Sequence, residues 1–102
     1  MTGLELCQLI RQKWGYAYDV QLRKVKDTIY LQVMWRYLEQ VSFPLSEAEY
    51  LAHLEAIANY LNAWGCEAQV QEQIEQTNKR PRLGYAVSFA LDLGDRASEW
   101  IL

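Results

Sequence analysis

The sequence predicts an α+β fold, a two-layer αββαββ sandwich in which a four-stranded antiparallel sheet carries two helices on one face. Three observations predict it. Two amphipathic helical stripes each stop at a Trp-Gly pair, Trp14-Gly15 and Trp64-Gly65. Two segments, 29–37 and 83–91, alternate apolar and polar residues with the period of a strand. Val20-Gln21, downstream of the first Trp-Gly, returns as Val70-Gln71 at the same interval downstream of the second. The chain therefore reads as one domain, 1–102, with half-repeats 1–45 and 46–102 and a possible internal pseudo-two-fold. Either duplication or two independent uses of Trp-Gly as an anchor and stop accounts for the echo.

Thr2 with Glu5 is a capping-box pattern, and Leu6, Ile10 and Trp14 follow on one stripe, so the first helix runs from about Gly3 to Trp14. A weak strand from Tyr18 to Val25 points Val20 and Leu22 inward, and Lys26-Asp27 turns it tightly into the next. In that second strand Ile29, Leu31, Val33, Trp35 and Tyr37 face the core, while Tyr30, Gln32, Met34 and Arg36 face away. Ser46 and Glu49 form another capping box, with Leu45 and Tyr50 placed as a hydrophobic staple. The second helix then buries Leu51, Leu54, Ile57, Ala58, Leu61 and Trp64 before Gly65. A weak third strand over 66–72, with Ala68 and Val70 inward, leads through a polar stretch to a fourth over 83–91. Leu83, Tyr85, Val87, Phe89 and Leu91 are its inward side chains, and a short helical turn starts at Arg96.

Composition bounds the function. The 102 residues are 51% hydrophobic and 23% charged, an ordinary balance for a folded domain of this size. A net charge of -3 and a pI near 5.1 give no whole-molecule attraction to nucleic acid or anionic lipid. No apolar run is long enough for a membrane span, and residues 1–11 match neither a secretory signal nor a transit peptide, so the expected location is the cytoplasm. Cys7 and Cys66 sit in no CxxC pair and read as buried thiols.

Several strings carry a resemblance: Tyr18-Asp19-Val20-Gln21-Leu22, Leu31-Gln32-Val33-Met34-Trp35, Tyr37-Leu38-Glu39-Gln40, Ser42-Phe43-Pro44-Leu45, Arg80-Pro81-Arg82 and Ala97-Ser98-Glu99-Trp100. Together they resemble a small family of cyanobacteria and plant plastids, catalogued as domain of unknown function 3067. The resemblance extends over nearly the whole chain. It implies an origin in a photosynthetic lineage and supplies no catalytic residue; the lack of a leader favours the cyanobacterial side.

The residues themselves offer little chemistry. His53, the one histidine, lies at the edge of the second helix's apolar stripe with no nucleophile placed beside it by any motif. Cys7, Cys66 and His53 lack the short spacing of a zinc site. Glu47 and Glu49 suit a helix N-terminus, and the pairs Glu72/Glu75 and Asp92/Asp95 read as solvated loop charges. No glycine-rich loop opens a helix. The expectation is a protein that is not an enzyme and uses no cofactor or metal.

Two basic clusters remain, Arg23/Lys24/Lys26 at the first hairpin and Lys79/Arg80/Arg82 before the last strand. The second is sharper, because Pro81 stiffens it and no acid interrupts it. With Tyr30, Met34 and Arg36 on the open sheet face, Lys79, Arg80 and Arg82 form the candidate partner-binding set. Trp100, Ile101 and Leu102 either pack on the domain or serve as an apolar peg. The expected function is that of a non-catalytic accessory or assembly protein acting by protein–protein interaction. The alternative is a nucleic-acid-binding module that uses the 79–82 loop with Tyr30 as a stacking platform.

Overall fold

A computed structural model describes residues 1–93. The order is α1 (Gly3–Trp14), β1 (Tyr18–Val25), β2 (Thr28–Tyr37), α2 (Glu47–Trp64), α3 (Glu67–Gln76) and β3 (Val87–Leu91). The three strands form one antiparallel sheet in the order β1-β2-β3. The α+β class holds; among the described residues there are three helices where two were expected and three strands where four were expected.

Both capping boxes form. The Thr2 hydroxyl accepts from the Glu5 N–H while the Glu5 carboxylate accepts from the Thr2 N–H, and Ser46 and Glu49 repeat the arrangement. Both Trp-Gly stops also form, with different geometry. Gly15 closes α1 with a single bond from its N–H to the Arg11 carbonyl, and the chain leaves as a strand. Gly65 closes α2 in a Schellman motif, its N–H donating to Asn62 O and the Cys66 N–H to Leu61 O. That exit leads straight into another helix.

The predicted strand over 66–72 is therefore α3. Val70 and Ile74, four residues apart, are its two buried side chains, and Ala68, expected inward, is exposed. The Glu, Gln and Ala around them are strong helix formers, and a three-residue alternation was too short to outweigh that preference. The echo of the first half thus ends at Gly65: Val20 and Gln21 lie in a strand, Val70 and Gln71 in a helix. The last strand is also shorter than expected. It begins at Val87, because Arg82 and Tyr85 pair across a turn at Leu83-Gly84, where Gly84 takes φ 80°. Leu83 and Tyr85, expected in the core, are exposed. The expected turn from Arg96 and the Trp100–Leu102 end lie outside the described residues.

One core runs between the sheet and the helices. Val20, Ile29, Leu31, Val33, Val87, Phe89 and Leu91 supply the sheet side. Leu6, Ile10, Tyr50, Leu54, Leu61, Val70 and Ile74 supply the helical side. Trp14 and Trp64 are both buried, as expected of helix-end anchors, whereas Leu22, Trp35 and Tyr37 are half-buried. Cys7 and Cys66 are buried free thiols; burial pushes Cys7 up and Cys66 up to about 11.

Helix side chains cap part of each edge of the sheet. Along β1, the Tyr50 hydroxyl donates to Tyr18 O at 2.8 Å, and His53 Nε2 lies 2.6 Å from Val20 O. Along β3, Gln73 Nε2 donates to Ala90 O at 3.3 Å, and the Gln69 side chain both donates to Asp92 O and accepts from the Asp92 N–H. The Tyr18, Val20, Ala90 and Asp92 backbone groups, which could otherwise pair with a further strand, are thereby satisfied from α2 and α3.

Candidate interaction surface

The segment 77–86, between α3 and β3, presents the second basic cluster on a fixed stem. Thr77 leaves α3 in an extended conformation, and its hydroxyl accepts from the Lys79 N–H at 3.2 Å. The Trp14 indole N–H donates to Lys79 O at 2.9 Å, tying the segment to the end of α1. Lys13 Nζ donates to Glu75 O at 2.8 Å, at the negative end of the α3 dipole. Pro81 is buried, while Lys79, Arg80 and Arg82 are exposed. Among the described residues, none of these three cations has a carboxylate within ion-pairing distance.

The open face of the sheet is ordered by a polar ladder. Gln21 Nε2 donates to Gln32 Oε1 at 2.9 Å, and Gln32 Nε2 donates to Ser88 Oγ at 3.2 Å, so one hydrogen-bonded row crosses all three strands. Tyr30 and Met34 flank that row on β2, half-exposed, and Arg36 follows, exposed. Register decides which candidates share a neighbourhood. β3 begins opposite Val33, so Arg36 lies at the end of the sheet where the 77–86 segment joins it. Tyr30 pairs with Ala90, toward the other end. Arg23, Lys24 and Lys26 belong to the hairpin at that other end, where Val25 pairs with Thr28. The six candidates thus divide: Arg36 goes with Lys79, Arg80 and Arg82, Met34 lies between, and Tyr30 stands apart.

Two residues that the sequence reading placed inside belong to this surface. Leu83 and Tyr85 stand on the turn beside Arg82. Their signal was present in the sequence: Pro81 and Gly84 bracket a reversal, and alternation does not continue through a reversal.

His53, Glu39 and Glu49 are engaged by hydrogen bonds within the fold. His53 Nε2 donates to the Val20 carbonyl, which fixes the tautomer, and Asp19 Oδ1 lies 3.7 Å away. Glu39 accepts from the Ala17 N–H at 3.0 Å and from Arg11 Nε at 3.2 Å; burial opposes its ionisation, but these donors hold its carboxyl below the usual range. Glu49 is held low by its hydrogen bonds to the Ser46 backbone and side chain. An open groove of about 360 Å³ between α1 and α3 is lined by Glu5, Glu67, Glu75 and several glutamines around Met1 and Leu9. Among the described residues, no three His, Cys, Asp or Glu side chains are grouped to hold a metal, and no helix is long and apolar enough to cross a membrane.

Over its whole length the chain is similar to the Alr2454 protein of the cyanobacterium Nostoc sp. strain PCC 7120, solved by NMR in solution as a structural genomics target. The two share 62% identity and superpose with a TM-score of 0.90, covering 100% of this chain and 98% of that one. No curated protein matches the chain. The family model described as Domain of unknown function (DUF3067) matches residues 4–101, and the chain belongs to that family.

Proposed function

We propose that the chain is a non-catalytic accessory or assembly protein of the cytoplasm of a photosynthetic cell, acting by binding an acidic protein. One observation carries this reading: Arg36, Lys79, Arg80 and Arg82 are exposed at one end of the sheet, and among the described residues none has an acidic partner. Cations in that state attract a surface of opposite charge and fix its orientation. Met34 and the Gln32 row beside them offer a flat, partly apolar continuation. What weighs against the nucleic-acid alternative in the form that joins Tyr30 to the 79–82 loop is register: Tyr30 lies toward the other end of the sheet, paired with Arg23, whereas a stacking platform must lie along the phosphate track of the cations it serves.

The test is affinity capture from membrane-free cyanobacterial lysate, with and without nuclease, using the wild-type chain and K79A/R80A/R82A. A protein retained after nuclease and released by the triple substitution supports the reading. Material lost on nuclease treatment supports the nucleic-acid alternative, and capture indifferent to the three substitutions overturns both.

A further inference from the structure

The turn between Arg82 and Tyr85 carries two large side chains that contribute nothing to the core. Leu83 is 85% exposed and Tyr85 71% exposed, whereas Val87, Phe89 and Leu91, which follow directly, are buried. The turn is stiff. Arg82 N–H donates to Tyr85 O at 3.0 Å, Tyr85 N–H donates to Arg82 O at 2.6 Å, and Gly84 supplies the left-handed conformation between them. Its stem is held by buried Pro81 and by the Trp14 bond to Lys79 O. Both side chains are therefore exposed on a held turn, and Lys79, Arg80 and Arg82, next to it in the chain, are exposed as well. No acidic residue occurs anywhere in 77–91.

We infer that this turn is a docking tip for an anionic lipid bilayer. Leu83 enters the boundary with the acyl chains, Tyr85 sits at headgroup level, and Lys79, Arg80 and Arg82 contact headgroup phosphates. Two exposed apolar side chains next in sequence to three exposed cations, with no carboxylate between them, suit a surface that is apolar beneath and anionic above. The net charge of -3 repels the rest of the molecule from such a surface, so attraction is confined to the tip. The inference goes beyond the reading above, which gives Leu83 and Tyr85 no role. Both draw on the same cations, and experiment separates them.

The test is flotation of the full chain with vesicles of phosphatidylcholine, alone or enriched in phosphatidylglycerol, at low and moderate salt. Binding is expected to the phosphatidylglycerol vesicles only and to weaken with salt. L83S/Y85S and K79A/R80A/R82A should each reduce it about tenfold or more. R23A/K24A/K26A, which removes the same charge at the opposite end of the sheet, should bind as the wild type does. Thermal melts matching the wild type establish that the variants are folded, as expected at exposed positions. Absence of flotation, flotation unchanged by L83S/Y85S, or equal weakening by R23A/K24A/K26A would overturn the inference. Since the vesicles contain no protein, failed flotation with successful lysate capture removes the lipid tip and leaves the protein-partner reading standing; flotation without capture does the reverse.

Discussion

A β-carbon on Gly3 would lie 2.5 Å from the backbone nitrogen of Glu55 and 2.7 Å from its Cα, so α1 and α2 meet at a separation that only glycine permits. The Gly3 N–H also donates to Glu55 Oε2 at 2.6 Å. Alanine is the better helix former by up to about 1 kcal/mol, but the obstruction is backbone, which yields only if the helices shift. Gly3→Ala should therefore lower stability by about 1 to 3 kcal/mol in urea denaturation. Unchanged or raised stability would show that the helices separate at no cost.

Capping of the sheet edges is open to the same measurement. Tyr50→Phe removes a hydroxyl whose partner is the Tyr18 carbonyl in a buried setting, and should cost about 1 to 3 kcal/mol. His53→Ala removes the neighbouring bond at a half-exposed site and should cost less. Gln69→Ala with Gln73→Ala removes three bonds from the β3 edge. That pair should raise light scattering on heating and speed amide exchange in β3, since an unprotected edge recruits other strands. Equal scattering in wild type and variant would refute the protective role.

Lys26 offers a gain. It occupies the first turn position of the β1–β2 hairpin at φ 56°, where a side chain is strained and glycine is not. Relief of that strain is partly offset by the greater freedom of an unfolded glycine, so Lys26→Gly should stabilise by about 0.5 to 1 kcal/mol. A lower melting temperature would mean that the turn relaxes differently.

Stability should decline on the alkaline side. Burial raises Cys66 to about 11 and also raises Cys7 and Tyr50, so each holds its proton more tightly folded than unfolded. Their contribution is complete below the ordinary thiol value of about 8.5 and is lost as pH climbs through the folded values. On the acid side Glu39, held low by Ala17 and Arg11, contributes above the usual carboxylate range and loses that contribution as pH falls. Urea midpoints should be flat from about pH 5 to 8 and fall above it, and native thiols should resist alkylation at pH 8. A midpoint steady to pH 10 would contradict this account.

The elements legible in the sequence are those whose signals are local and redundant. Thr2/Glu5 and Ser46/Glu49 state both helix starts, Gly15 and Gly65 both stops, and Ile29, Leu31 and Val33 alternate in a strand paired on both sides. α3 was missed because Cys66, Ala68 and Val70 alternate over a span that also fits a helix; the spacing of Val70 and Ile74 favoured the helix. Leu83 and Tyr85 were misplaced because their order matches the strand that follows, with a reversal between. Of the surface, the cations were visible as composition. Their grouping with Arg36 and separation from Tyr30 depend on register, a long-range property that no window of sequence contains.

Gln69 and Gln73 occupy the place along β3 where a fourth strand would pair, and they make the bonds its backbone would have made. At this stretch of the edge two amide side chains of a helix do the work of a neighbouring backbone, while Val70 and Ile74 hold that helix on the core.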